Sequence, residues 1–239
     1  MDKRVLSLKS VEDMFEVLKT KGRPLHSFHK GDTIKVWNRM EKDYSYVLTE
    51  EPGTNFAPGF EPYLTPGEIL ALGAFGGKYL NDCLLEFPAE WFWKAGLLGK
   101  LRPASSGADI AVNHFKIDSR LPLSEWRKAG WVYSPGGKKL GGKREVLSSK
   151  ENPDERGWFQ WYCRFFQGRR TEDDERQIGR WKNCTGPKGR WKGNLITKVA
   201  RAGVAFDNPG ISPVVRQTLL HWAYELTKED FEKGAKKIK

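Results

Sequence analysis

Basic and aromatic side chains alternate between Trp161 and Arg201, and this stretch carries the plainest chemical signal in the sequence. It holds eleven Lys or Arg residues and four acidic ones, and the acids are confined to positions 172–175. Trp181 and Trp191 each stand directly between two basic residues. Lys and Arg neutralise phosphates and release counterions, while an aromatic ring that stacks on a base contributes about 1–3 kcal/mol. The pattern therefore predicts a surface that binds nucleic acid.

The candidate nucleic-acid or anion-binding residues are the cations of this stretch and its two cation-flanked tryptophans. They are Arg164, Arg169, Arg170, Arg176, Arg180, Trp181, Lys188, Arg190, Trp191 and Lys192. Positions 168–170 and 186–190 fall at predicted turns between helices, where backbone N–H groups at a helix start add to an anion site. The alternative is a solvated basic face without a ligand. Trp191 lies on an apolar helix face, which favours core packing, whereas Trp181 has fewer apolar neighbours and is the better stacking candidate.

The four acids at 172–175 have two interpretations. Clustered carboxylates can hold a metal or act as an acid/base pair. In the first turn of a helix, however, each also offsets the macrodipole by about 0.3–1 kcal/mol. The structural interpretation is favoured, and the sequence predicts no metal site.

A second candidate site lies in the glycine-rich block at 73–86. Glycines allow a backbone to approach a phosphate, and Lys78 adds a positive charge. The spacing does not fit a P-loop, because Leu72 and Tyr79 stand where that motif needs Gly and Ser or Thr. Glycine pairs also mark turns between helices, and this alternative stays open.

Four residues are candidate catalytic groups if the chain is an enzyme: Lys78, Asp82, Glu86 and His221. The spacing of Asp82 and Glu86 allows both carboxylates to lie on one face of a helix. Two neighbouring carboxylates are suited to general acid and base catalysis. His221 falls on the polar side of its predicted helix. No motif identifies a cofactor, so none is assigned.

The composition of the whole chain narrows the classes of partner. Its 239 residues carry a formal charge of +11, which favours nucleic acid, a nucleotide or another acidic partner. No apolar run approaches the roughly 18–20 residues that a membrane-spanning helix needs, so no membrane partner is expected. Positions 11–18 contain three acids, unlike a signal peptide, and the three cysteines have no disulfide-framework spacing. We expect a cytoplasmic or nuclear protein that is not secreted; the sequence leaves its oligomeric state open.

The sequence predicts an α+β fold that is predominantly α. Residues 1–133 form a small mixed part, with a β-hairpin from 33–38 and 44–49 and the glycine-rich block. Residues 134–151 read as a flexible basic loop rich in Gly and Lys, and residues 152–239 as a basic bundle of about five helices. Cap motifs predict helix starts after Ser10 and Thr65 and at 152–155.

Three functions remain open at this point. The first is a nucleic-acid-binding protein that uses the basic, Trp-containing helical surface. The second is an enzyme that acts on a nucleotide, nucleobase or other phosphorylated substrate held between the two parts. The third is a scaffold that binds an acidic protein. A single polar pocket that joins the two parts would favour the second over an open basic face.

Overall fold

The computed structural model describes residues 3–41, 44–119, 121, 123–128 and 154–238. The regular secondary structure of these residues is mostly helical, with one antiparallel hairpin, so the predicted α+β and predominantly α class is confirmed. The proposed basic loop at 134–151 lies outside the described residues. Across the described ranges, no helix is both long and apolar enough to cross a bilayer.

In the first part, the described residues form a hairpin and four α-helices. Strand β1 (Thr33–Val36) pairs antiparallel with β2 (Tyr44–Val47), as predicted. The helices are α1 (Val11–Lys21), α2 (Pro66–Leu72), α3 (Ala89–Leu97) and α4 (Leu123–Lys128).

Helices α1 and α2 begin with the predicted capping boxes. The Ser10 hydroxyl accepts the N–H of Asp13, and the Asp13 carboxylate accepts the N–H of Ser10. Thr65 and Glu68 make the same reciprocal pair at the start of α2. Each box satisfies backbone donors that have no partner within the helix.

The second part consists of five helices within the described residues. They are α5 (Trp158–Gln167), α6 (Asp174–Thr185), α7 (Arg190–Ala202), α8 (Pro213–His221) and α9 (Lys228–Ala235). Helix α5 begins later than the cap motif at 152–155 predicts. Asp154 does not cap it, because its carboxylate binds two buried arginines instead.

Helix α5 joins the two parts through a shared core. Its rings at Trp161, Tyr162 and Phe165 are buried and belong to one apolar cluster with residues of the first part such as Phe60 and Phe87. Smaller clusters lie between α7, α8 and α9 and beneath the hairpin. The two parts therefore contact each other along α5, and a cavity between them can be lined by residues of both parts.

A buried ion network also connects the two parts. Arg164 of α5 has no exposed side-chain surface and binds Glu41 at 3.0 Å, Glu86 at 2.6 Å and Asp154 at 3.0 Å. Arg169 binds the second oxygen of Asp154 at 2.6 Å. Burying charge is costly unless such geometry compensates for the lost hydration, so this network depends on every member being present.

Candidate functional site

The glycine-rich block forms a tight turn that presents one aromatic side chain. Gly73 and Gly76 adopt φ values of 102° and 64°. A Cβ at Gly73 would lie 2.1 Å from the carbonyl oxygen of Val112, and one at Gly76 would lie 2.7 Å from Ala108. The glycines therefore serve close packing against residues 108–112, which is the turn interpretation of the block. Between them Phe75 also has a positive φ, 54°, which is rare for a bulky residue and is a form of strain that often occurs at functional sites.

Phe75 is the middle ring of a stack of three. Its centroid lies 4.2 Å from that of Tyr79 and 3.9 Å from that of His221, with interplanar angles of 26° and 13°. Two rings this close and this parallel must occupy opposite faces of Phe75. The stack therefore runs from Tyr79 through Phe75 to His221.

The protonation state of His221 follows from its hydrogen bonds. The backbone N–H of Phe75 donates to Nε2 of His221 at 3.3 Å, and the side-chain amide of Gln217 lies 3.1 Å from the same atom. A nitrogen that accepts N–H bonds carries no proton, so the imidazole is neutral, with its proton on Nδ1.

An aromatic cavity of about 510 Å³ opens beside this stack and is lined by residues of both parts. Its rings are Phe75, Trp126, Trp158, Phe159, Trp191, His221 and Trp222. Arg180 and Arg190 also line it, and none of the described lining residues is Asp or Glu. The cavity thus combines flat apolar surfaces with positive charge, and it is concave rather than an open basic face.

The two cation-flanked tryptophans exchange the roles that the sequence predicts for them. Trp191 is 37% exposed and lines the aromatic cavity, whereas Trp181 is 5% exposed and packs edge-on against Phe60. The indole N–H of Trp181 donates to the backbone carbonyl of Trp222 at 2.9 Å. Trp181 is therefore a core residue and Trp191 the ring open to a ligand. The reason is position: Trp191 lies in the first turn of α7, before the buried stripe of that helix.

Two arginines give the aromatic cavity its charge. Arg180 donates to the amide oxygen of Gln177 at 2.9 Å, and its guanidinium lies 5.4 Å from the ring centroid of Trp222. Burial, assisted by the charge of Arg176, lowers the pKa of Arg180 to about 10, so it remains protonated at neutral pH. Arg190 is exposed, and its guanidinium lies 5.5 Å from the ring centroid of Trp191. A partly desolvated cation beside an aromatic face interacts strongly with an anion.

Arg164 and Arg169 do not belong in the predicted anion-binding set. Both are buried in the ion network, where carboxylates already bind their guanidinium groups. A phosphate cannot reach them without displacing those carboxylates and opening the core. Arg164 and Arg169 therefore stabilise the fold, although their position in the sequence led to the prediction that they belong to the basic surface.

The remaining predicted cations are spread over several surfaces. Arg170 donates to the carbonyl of Phe165 at 2.7 Å and to that of Thr54 at 2.9 Å. Arg176 pairs with Asp173, and Lys192 contacts Asp230 at 3.2 Å. Lys188 is exposed in the turn before α7. Of the predicted set, the structure brings only Arg180, Arg190 and Trp191 together at one cavity within the described residues.

Two of the four acids at 172–175, Asp173 and Asp174, have structural partners. Asp173 is buried and accepts hydrogen bonds from Arg176 and Gln177. Asp174 accepts the indole N–H of Trp161 at 2.8 Å and the backbone N–H of Thr171 at 3.0 Å. These contacts fix the start of α6, as the structural interpretation of the four acids implies.

A second, charged cavity of about 500 Å³ adjoins the aromatic one. Its ionisable side chains are Arg39, Lys78, Tyr79, Asp82, Asp118 and Arg156. Leu121 and Trp126 line both cavities, so they form the boundary between them.

Asp82 is held ionised in the charged cavity. Both of its oxygens accept bonds from Arg156, at 2.6 and 2.7 Å, and one also accepts the backbone N–H of Arg39 at 3.1 Å. Burial works to raise the pKa of Asp82, but the hydrogen bonds and charge of Arg156 outweigh it, and the pKa is lowered from its ordinary value. A carboxylate fixed in this way is poorly suited to exchanging protons near neutral pH.

The predicted carboxylate pair is not a pair. Glu86 lies in the ion network, where Arg164 binds it and burial raises its pKa, while Asp82 faces Arg156. The segment between them forms only a short 3-10 turn at Leu84–Glu86, so the two side chains do not share a helix face. Lys78 lines the charged cavity and His221 the aromatic one. The four proposed catalytic residues thus fall into three different environments.

Several cavity residues were missed from the sequence. Phe75, Trp126 and Trp222 line the aromatic cavity, and Arg39 and Arg156 line the charged one. The flanking glycines were the available signal for Phe75, because they mark a tight turn at that residue. No local signal distinguishes Arg156 from other basic residues, since its partner Asp82 is 74 positions away.

Within the described ranges, no group of three or more His, Cys, Asp or Glu side chains is arranged to hold a metal ion.

Comparisons with protein-family models, with curated proteins and with solved structures find no significant match to this chain.

Proposed function

We propose that the protein binds nucleic acid by taking an unpaired base into the aromatic cavity. The observation that carries this proposal is the cavity itself, in which aromatic rings of both parts surround about 510 Å³ and Arg180 and Arg190 supply the charge. Bases stack on aromatic faces irrespective of sequence, and arginines neutralise phosphates along a strand. The cavity therefore suits a flat, anionic unit better than an uncharged apolar ligand.

The shape of the site favours a single base over a duplex. A base must present its face to stack on an aromatic ring, and a paired base inside a duplex presents its edge to a protein instead. Arg164 and Arg169 are buried and Arg176 is paired, so they do not extend the cationic surface that would follow a duplex backbone. An unpaired base in a single strand, or a free nucleotide, meets these requirements.

An enzyme acting on a nucleotide held between the two parts is the second candidate. The specific observation in its favour is the charged cavity, which adjoins the aromatic one and contains Lys78 and Asp82. Asp82 is tied to Arg156, and the Nε2 of His221 already accepts hydrogen bonds. Binding is therefore the better supported of the two functions, and turnover of a bound nucleotide would be needed to favour the enzyme.

Filling the aromatic cavity tests the proposal. Val214 is 45% exposed and lines it, so Val214→Trp should occupy the space of the base with little cost to folding. We expect this variant to bind fluorescein-labelled, mixed-sequence single-stranded DNA and RNA at least about tenfold more weakly than wild type, because the stacking of one base is lost. Anisotropy titration at low salt measures the difference.

Leu97→Trp is the matched control. Leu97 is 75% exposed on α3 and is not among the residues that line either cavity. It adds the same ring elsewhere and should leave the affinity unchanged. Equal affinities for wild type and Val214→Trp, or equal affinity of wild type for single strands and duplexes, would count against a site for an unpaired base.

A further inference from the structure

We infer that the charged cavity receives the sugar–phosphate of the nucleotide whose base enters the aromatic cavity. The unit recognised would then be a nucleotide with its phosphate, rather than a base alone. This inference rests on the proposed function. Base stacking involves only the aromatic cavity, and the inference assigns a class of ligand to the charged cavity as well.

Contiguity is the first argument. Trp126 and Leu121 line both cavities, so a ligand that reaches past these side chains from the aromatic cavity enters the charged one. In a nucleotide the flat base and the anionic phosphate are joined through one sugar. Two adjoining compartments, one aromatic and one charged, match that order of chemical groups.

The second argument is the balance of charge. Among the described residues, three cations and two carboxylates line the charged cavity, and Arg156 already neutralises Asp82 through two hydrogen bonds. The cations outside that pair are Arg39 and Lys78, and the other carboxylate is Asp118. A phosphate would therefore enter a compartment with an excess of positive charge.

Arg39 is the best placed of these cations to bind a phosphate. Its side chain is exposed, and one of its five N–H donors bonds to the carbonyl oxygen of Ala104 at 3.2 Å. Its backbone N–H donates to Asp82, which fixes the main chain at this point of the cavity. A guanidinium with a fixed backbone can present two parallel donors to a phosphate, the geometry that makes arginine a strong phosphate ligand.

The neighbouring ion pair restrains the main chain next to Arg39. The guanidinium of Arg156 binds Asp82 and also donates to Asn38 at 3.1 Å, and Asn38 in turn accepts the backbone N–H groups of Met40 and Glu41. The main chain on both sides of Arg39 is therefore held by hydrogen bonds. A segment restrained in this way loses little conformational freedom when a ligand binds, which favours affinity.

Calorimetric titration of defined small probes tests the inference. The probes are nucleosides, nucleoside 5′- and 3′-monophosphates and inorganic phosphate, and the proteins are wild type, Arg39→Gln and Lys35→Gln. Lys35 is exposed on β1, is not a lining residue of either cavity and controls for the loss of one positive charge.

For wild type and Lys35→Gln we expect one of the monophosphates to bind at least about tenfold more tightly than its nucleoside, as a charge-assisted hydrogen bond implies. Arg39→Gln should abolish this gain and leave the affinity for the nucleoside unchanged. A gain that survives Arg39→Gln, or the absence of any gain in wild type, would overturn the inference while nucleoside binding still supports the proposed function. If neither nucleosides nor single strands bind wild type, both fail together.

Oligonucleotides then distinguish the source of the phosphate. If the site takes a strand end, a terminal phosphate should strengthen binding in wild type and not in Arg39→Gln. If it takes an internal nucleotide, the terminal phosphate should have no effect and Arg39→Gln should weaken both strands equally. Both results support the charged cavity as the phosphate site, and strands bound equally well by wild type and Arg39→Gln would contradict it.

Discussion

The imidazole of His221 stacks on the ring of Phe75 at 3.9 Å and, through Nε2, also accepts the backbone N–H of Phe75 at 3.3 Å. The two residues are 146 positions apart and belong to different parts of the chain. This double contact holds a residue of positive φ in place beside the aromatic cavity. The same contact requires a neutral imidazole, because a proton on Nε2 would oppose the N–H of Phe75.

Replacing His221 by Phe should therefore destabilise the fold. The variant keeps a flat ring for stacking but leaves the buried N–H of Phe75 without its acceptor, which costs about 1–3 kcal/mol. Urea unfolding measures the loss. His26→Phe, at an exposed histidine, is the control and should change stability by less than about 0.5 kcal/mol. Equal midpoints for the two variants would show that the bond to Phe75 contributes nothing.

Local signals in the sequence predict the starts of α1 and α2 and the hairpin well. The Ser10–Asp13 and Thr65–Glu68 boxes join residues three positions apart, so the sequence contains all the information about them. The hairpin is similarly local, since its strands are adjacent in the chain. Structure that depends on near neighbours can be inferred from residue types and spacing.

Residues with distant partners could not be assigned in this way. Arg164 and Arg190 look alike in the sequence, yet Arg164 is buried in a network with Glu41 and Glu86. These partners lie 123 and 78 positions before it, so no local pattern could reveal the contacts. Helical periodicity also gave the wrong environments for Trp181 and Trp191. An apolar periodic pattern identifies the helix face that packs on the core, but it does not show at which end the helix emerges from the core. The cavity arises from packing between the two parts, which no local pattern contains.

Arg164→Met should be severely destabilising. The change leaves Glu41, Glu86 and Asp154 in the interior without the cation they share, and breaking a buried ion pair on one side costs about 3–5 kcal/mol. Chemical unfolding measures the effect. Lys233→Met removes a cation from an exposed pair with Glu229 and should change stability far less, because solvent screens a pair of this kind. A similar small loss for Arg164→Met would mean that the network does not stabilise the fold.

The Asp82–Arg156 pair should make stability depend on acid pH. Because the pKa of Asp82 is lowered in the folded state, its contribution is present above its ordinary value of 3.8 and is lost as the pH falls through the folded-state pKa. Asp82→Asn should thus be less stable than wild type at neutral pH, and the difference should shrink on acidification. Unfolding free energies across this range provide the measurement. Asp207→Asn, at an exposed site, should follow the wild-type curve; a constant gap for Asp82→Asn would contradict the ionised pair.

The salt dependence of binding should identify Arg190 as a phosphate contact. Each neutralised phosphate of a single strand contributes about 0.7 to the slope of log affinity against log salt, so Arg190→Gln should reduce that slope by about 0.7. Arg190→Lys retains the charge and should retain the slope. Arg201→Gln removes an exposed cation from the other end of the same helix, away from both cavities, and should leave the slope unchanged. Anisotropy titrations at several salt concentrations measure all four proteins. If Arg190→Gln and Arg201→Gln lower the slope equally, the strand responds to the overall charge of the protein and not to a phosphate site beside Trp191.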